Sequence, residues 1–263
     1  MEEKFIQALF KEHQQGHHRL PPELVYHWID EMLEFIFPEL SNSHFENYRA
    51  FQLHYKELQL NLFNLLNRLP EPCRMSTEEV ESRFFDQLPE IKNMLLEDAQ
   101  AILEGDPASV NLAEVIQTYP GFYAIAIHRF AHTFLQLGIP AIPRILTEYA
   151  HRKTGIDIHP GATIGRRFCM DHGTGIVIGE TVEIGDDVKI YQGVTLGALS
   201  VQKEYAKTKR HPTIENKVVI YSGATILGGD TVIGENSIIG GNVWITKSVP
   251  ANSKVYYQGD LKR

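Results

Sequence analysis

The stretch Ile178-Gly179-Glu180-Thr181-Val182-Glu183-Ile184-Gly185-Asp186-Asp187-Val188-Lys189-Ile190-Tyr191-Gln192-Gly193-Val194-Thr195-Leu196-Gly197 carries an aliphatic residue every six positions. Glycine follows directly at 179, 185 and 197. The same phase runs outward through Ile158 and Ile164 on one side and Ile214, Ile220 and Ile226 on the other. After a one-residue slip it resumes at Ile233, Ile239 and Ile245. Self-similarity at a fixed short period is the mark of a β-solenoid. Each hexad supplies a short strand with its aliphatic side chain pointing into a prism, and three hexads make one coil.

Two irregularities stand out, and function tends to sit where a repeat is broken. From Ile164 to Ile178 the chain overshoots two whole hexads by a pair of positions, and the excess falls around Asp171-His172-Gly173-Thr174-Gly175. Between about 198 and 212 the pattern vanishes into a polar loop with Lys203, Lys207, Lys209 and Arg210, which must leave the prism.

Upstream of Thr154 the period is helical. Pro21-Pro22 opens an apolar run that Pro38 closes, and Ser76 with Glu79 three residues on reads as a capping box. Gly105 reads as a C-terminal cap, and Pro89 predicts a kink or two shorter helices. Tyr48, Phe51, Tyr55, Leu58, Leu62, Leu65 and Leu69 fill an a/d seam that wants a partner helix, sooner within its own domain than across a subunit interface. Phe122, Ala126, Phe130 and Phe134 form an i, i+4 row after Pro120-Gly121, and another helix is expected after Pro143. The expected organisation is a helical domain over 1-154, a solenoid over 155-250 with a loop excursion at 198-212, and a short tail over 251-263.

Composition narrows the classes of function. The 263 residues are 43% hydrophobic and 22% charged with a net charge of -8, and no half carries the basic stripe of a nucleic-acid binder. No run approaches the ~20 apolar residues of a membrane helix, and Met1-Glu2-Glu3-Lys4 does not open a signal peptide, so a cytoplasmic protein is expected. Cys73 and Cys169 lie far apart without CxxC spacing and read as free thiols. His128 and His132 share a helix face, but no HExxH glutamate stands between them and packing is the expected role; the pair His17-His18 carries no decidable signal.

The solenoid half resembles the serine O-acetyltransferase family of hexapeptide-repeat acyltransferases. The resemblance rests on Asp157-Ile158-His159-Pro160, on Asp171-His172-Gly173-Thr174-Gly175-Ile176-Val177-Ile178-Gly179-Glu180, on Gln192-Gly193-Val194-Thr195-Leu196-Gly197 and on Lys209-Arg210-His211-Pro212. It reaches upstream to Asp106-Pro107-Ala108 and Gly121-Phe122, and so covers roughly residues 105 to 250. It implies an α-helical N-terminal domain followed by a left-handed parallel β-helix, with prisms that trimerise and helical domains that pair trimers into hexamers.

An alcohol must lose its proton to attack a thioester, and a neutral imidazole is the natural base at pH near 7. His172, in the broken repeat, is the candidate; the resemblance gives it that role and makes Asp157 the carboxylate that orients it. Asp157 precedes His172 by a little less than three hexads, and this spacing places the two on neighbouring coils. A buried amino-acid zwitterion needs charge partners at both ends. Asp106 and Asp171 suit its ammonium, Arg210 its carboxylate in a two-pronged contact, and His211 can add another bond; these four match the family's serine-binding positions. Asp106 also has the look of a helix N-cap before Pro107.

The resemblance further implies acetyl-CoA as cosubstrate, with no tightly bound cofactor and no metal. Its pantetheine arm would pass Ser222 and Gly241, and Lys217 and Lys247 are candidates for its phosphates. L-serine is the expected acceptor and L-cysteine a feedback inhibitor. Homoserine or a sugar hydroxyl is the alternative acceptor. A zinc lyase of the γ-carbonic anhydrase kind, with His159, His172 and His211 as ligands, is the alternative of a different class. Family members often dock on O-acetylserine sulfhydrylase through a tail ending in isoleucine, whereas this sequence ends Leu261-Lys262-Arg263, so docking by that route is not expected.

Overall fold

A computed structural model of the chain describes residues 2–16, 20–69, 74–199 and 208–257. The expectations placed on His17, His18, Cys73, Lys203, Lys207 and the terminal residues 258–263 lie outside the described residues.

Helix α1 (Glu2–Gly16) leads into α2 (Pro22–Ile36), which begins with Pro22 where a missing N–H leaves no bond unmade and buries Val25, Trp28, Ile29, Met32, Leu33 and Ile36. In α3 (Tyr48–Leu66) the seam turns inward on its own chain: Leu58, Leu62 and Leu65 are buried, and Phe51 and Tyr55 stack on Phe35 of α2 at 4.7 and 5.6 Å. Of the seam residues only Tyr48, at its outer end, is well exposed.

Helix α4 (Thr77–Gly105) begins with Ser76, whose hydroxyl accepts from the Glu79 amide at 3.2 Å, while the Glu79 carboxylate turns to Arg83 instead of closing the box. The helix continues through Pro89 as one element, so the expectation of two shorter helices fails: the tertiary contacts of Phe84, Phe85, Leu88 and Ile91 hold both sides of the proline in place. Gly105 is also not a left-handed cap. It is the last helical residue, and a Cβ there would stand 3.1 Å from Cys169 Sγ, so glycine serves close approach of the helix end to the prism.

After α5 (Leu112–Thr118), α6 (Pro120–Gln136) buries Phe122, Ala126, Phe130 and Phe134 as their spacing predicts, and α7 (Ile142–Thr154) starts around Pro143 and ends at Gly155 with φ 70°. No described helix is long and apolar enough to cross a membrane.

The chain then winds into a parallel solenoid of three faces. The first face stacks β1 (Asp157–Ile158), β4 (Val177–Ile178), β7 (Thr195–Gly197), β10 (Thr225–Leu227) and β13 (Trp244–Ile245). The second stacks β2 (Thr163–Ile164), β5 (Glu183–Ile184), β8 (Thr213–Ile214) and β11 (Val232–Ile233). The third stacks β3 (Cys169–Asp171), β6 (Lys189–Tyr191), β9 (Val219–Ile220), β12 (Ile238–Ile239) and β14 (Lys254–Val255). All the phase-marking aliphatics from Ile158 to Ile245 are buried inside.

Register shows where the repeat departs from three hexads per coil. Ile158 pairs with Ile178 and Met170 with Ile190, and each of these steps is longer than three hexads by two positions. The pairing of Ile178 with Leu196 returns to three whole hexads, whereas that of Ile190 with Ile220 is longer because the excursion intervenes. The two extra positions of the first coil therefore collect between β3 and β4, at the edge joining the third face to the first.

Candidate active site

That edge carries His172. Its φ of 58° lies in the left-handed region, uncommon for a residue with a Cβ, and the corner around it is held by backbone bonds from Gly173 to the Asp171 carbonyl at 2.7 Å and from Gly175 to the Gly155 carbonyl at 2.8 Å. The imidazole is 73% exposed, with Nε2 3.7 Å from Asp171 Oδ1. It lines a cleft of about 370 Å³ between the corner and the helical half, together with Asp106, Tyr119, Gly121, Met170, Asp171 and Thr174.

Asp106 caps no helix N-terminus. It follows the end of α4, its Oδ1 accepts from the Ala108 amide at 2.9 Å in an Asx turn, and α5 takes Asn111 as its own N-cap. Asp106 Oδ2 accepts from the Tyr119 hydroxyl at 2.7 Å; this bond holds the carboxyl below its ordinary range and pushes the Tyr119 phenol up to about 12. Asp171 is nearly buried, and its Oδ2 lies 2.8 Å from Lys189 Nζ. Lys189 also donates to the Gly105 carbonyl at 2.6 Å and stands 4.5 Å over the Tyr191 ring. Burial opposes its charge, yet the bonds to Asp171 and Tyr191 prevail and raise it above the usual ammonium range.

The sequence singles out neither Tyr119 nor Lys189 as a site residue. Lys189 looks like one more outward residue beside Ile190; register sets it on Cys169 and sets Tyr191 on Asp171, and the Lys189 side chain crosses to the Asp171 carboxylate.

Ser222 and Gly241 stack on the same edge as His172, one coil after another: Gly193 donates to the Thr174 carbonyl, Gly223 to that of Gln192 and Asn242 to that of Ser222. Asp157 opens the first coil at β1 and His172 lies in its last corner, after β3, so the two share one coil and are not on neighbouring coils as spacing alone implied. Among the described residues no ion pair joins them; the Asp157 carboxylate instead lies within 4.8 Å of Glu148 and His151 at the end of α7.

Arg210 and His211 occupy a different edge, between the first and second faces. His211 is buried, with Nδ1 accepting from the Thr181 amide at 3.1 Å, and Arg210 pairs with Glu180. A Cβ at Gly179 would fall 2.1 Å from the His211 ring, so a hexad glycine makes room for the imidazole. Burial, then the Arg210 charge, push His211 down to about 4. Lys247 follows β13 on this edge and is exposed. Lys217 lies on the third edge in left-handed backbone, 3.9 Å from Glu235, away from Ser222 and Gly241.

His159 belongs with Arg210 and His211, so within one chain the three histidines of the zinc reading fall on two edges. Among the described residues the metal-ligating atoms that converge are those of Glu148, His151 and Asp157. Chemically, the cleft offers an exposed imidazole beside two carboxylates: a proton acceptor next to a place for a cationic group.

Hexad prism, broken corner and histidine–carboxylate cleft together define a hexapeptide-repeat protein with a candidate active site at the broken corner. No protein-family model matches the chain. A plasmid-encoded serine acetyltransferase of Synechococcus elongatus is 52% identical over 189 residues, 70% of this chain and 59% of that protein. The crystal structure of serine acetyltransferase isoform 3 from Entamoeba histolytica, in complex with cysteine, superposes with a TM-score of 0.81 at 34% identity, over 90% of this chain and 82% of that one. A serine acetyltransferase complex with CoA superposes at 0.59 with 28% identity, over 86% and 94%. The chain belongs to the serine acetyltransferase family, and its solenoid is the left-handed β-helix of that family. It spans 51 to 59% of the length of the first curated relatives it matches.

Proposed function

We propose that the chain is a serine O-acetyltransferase, which moves acetyl from acetyl-CoA to the hydroxyl of L-serine and so makes O-acetylserine for cysteine synthesis. The observation that carries this is the convergence of His172, Asp171 and Asp106 on one cleft, at the head of the edge where Ser222 and Gly241 stack. The serine ammonium sits against the carboxylates. The imidazole of His172 takes the hydroxyl proton as the oxygen attacks the thioester carbonyl; the tetrahedral adduct then collapses, the CoA thiolate leaves, and the imidazolium returns the proton to it. Asp157 is read as the residue that orients His172.

Arg210 and His211 flank the far side of the first face from His172. In a trimer of prisms an edge of one protomer can meet the other edge of its neighbour, so these two residues complete the acceptor site across that boundary and hold the serine carboxylate. Lys247, on that same edge, and Lys217 remain candidates for the CoA phosphates. Pairing of trimers through the helical halves gives a hexamer. Cysteine differs from serine by one atom and competes for the same site; the cysteine-bound relative supports this. The cleft's two carboxylates favour an amino acid over a sugar.

Thiol release from acetyl-CoA tests the reading, with serine, homoserine and sugars as alternative acceptors. Serine-dependent release that cysteine suppresses and added serine restores is expected. Release driven by homoserine or a sugar alone would replace the acceptor, and serine-independent inhibition by cysteine would contradict a shared site.

A further inference from the structure

We infer that Lys189 is the positioning residue of the acceptor site, setting the two carboxylates at a fixed spacing across the junction between the helical half and the prism. The inference rests on the acceptor reading above. Asp106 and Asp171 come from unconnected elements, the end of α4 and the end of β3. Lys189 touches both segments at once, through the Gly105 carbonyl at 2.6 Å, one residue before Asp106, and through Asp171 Oδ2 at 2.8 Å.

Its own freedom is small. The side chain is 17% exposed and the ammonium lies against the Tyr191 ring, which is itself stacked on Tyr221 at 5.0 Å. With Oδ2 taken by Lys189, Asp171 is left with Oδ1 on the His172 side. The carboxylate thus presents one oxygen, in one orientation, to an incoming ammonium.

Charge leads to the same conclusion. Two carboxylates and one ammonium leave a single net negative charge in the cleft, matched to the single positive charge of an amino acid's ammonium. Without Lys189, Asp171 is free to rotate, α4 loses its tie to β6, and the cleft carries two uncompensated charges.

The test is steady-state kinetics on the intact wild type, Lys189→Met and Lys189→Arg, varying serine and acetyl-CoA separately. Methionine keeps the apolar stem and removes the charge. For Lys189→Met the serine KM should rise about tenfold or more, as for loss of a charge-assisted contact, with the acetyl-CoA KM within about twofold and kcat at saturating serine within about threefold. Lys189→Arg, which keeps a cation able to reach Asp171, should recover most of the serine KM. An unchanged serine KM in Lys189→Met beside normal wild-type turnover overturns the inference alone, as does a parallel rise in both KM values, which would mark a merely structural residue. Absence of serine turnover in the wild type overturns the acceptor reading and this inference with it.

Discussion

Arg129 grips Asp98 with two parallel bonds, Nε to Oδ2 at 2.6 Å and Nη2 to Oδ1 at 2.8 Å, and both side chains are out of water. The same guanidinium donates to the carbonyls of Ile164 at 3.2 Å and Gly165 at 2.8 Å, and the Phe168 amide donates to Asp98 Oδ1 at 2.9 Å. Helices α4 and α6 and the first coil are thereby fastened at one point, in the segment leading to the strand that ends in Asp171. Burial pushes the Asp98 carboxyl up, and the Arg129 charge holds it against that push.

Arg129→Met should therefore be strongly destabilising, by about 3–5 kcal/mol, because it strands a buried carboxylate and two carbonyls. Urea or thermal unfolding followed by circular dichroism checks this, and a loss under about 1 kcal/mol would mean that water reaches Asp98.

His172→Ala should fold and bind CoA while losing acetyl transfer by about 10²–10⁴-fold, since it removes the proton acceptor and touches no inward aliphatic residue. Asp157→Asn should cost less, because it alters support for the imidazole and not the imidazole itself. Turnover kinetics beside CoA binding by calorimetry separates the two, and a larger loss in Asp157→Asn would exchange their roles.

Arg210→Lys keeps the charge but not the planar fork, so it should weaken serine use by about tenfold or more while leaving the acetyl-CoA KM unchanged. Gly179→Ala should do similar harm by another route, displacing the His211 ring from Thr181 at a cost of about 1–3 kcal/mol in stability. A serine KM unaffected by either substitution would remove this edge from the acceptor site.

Acid should destabilise the fold in a definite window. His128 is pushed well below its ordinary range, first by burial and then by His132, and His211 is pushed down to about 4. Between about 6.5, the unfolded value, and about 4 the unfolded chain takes up protons that the folded chain refuses. Their contribution is complete above pH about 6.5 and is lost as pH falls through this window. A His211→Gln variant should show a flatter decline in unfolding free energy between pH about 6.5 and about 4.5, and an identical decline would assign the acid sensitivity to other groups.

Most of the solenoid is legible in the sequence because one inward residue per hexad is enough to fix a strand and a face; Ile158 to Ile245 needed no further information. The broken corner at Asp171 to Gly175 was equally plain, as a miscount of two. What spacing could not give was register around that miscount. The lengthened first coil runs from Asp157 past His172 in a single turn and sets Lys189 on Cys169, and it is the path of the long side chain, which no spacing encodes, that carries its ammonium to Asp171. Pro89 misled because propensity is local while the burial that keeps α4 whole is tertiary. Gly105 misled because a glycine after a helical run can serve close packing as readily as a left-handed turn.

The central claim is that this chain acetylates the hydroxyl of serine with His172 as the base. The most direct measurement is mass-spectrometric quantification of O-acetylserine formed from acetyl-CoA and L-serine, alongside free CoA, for the wild type and His172→Ala. The account predicts one O-acetylserine per CoA released by the wild type and at most about one hundredth of that rate in the variant. CoA release without O-acetylserine, or near-normal product from His172→Ala, would contradict it.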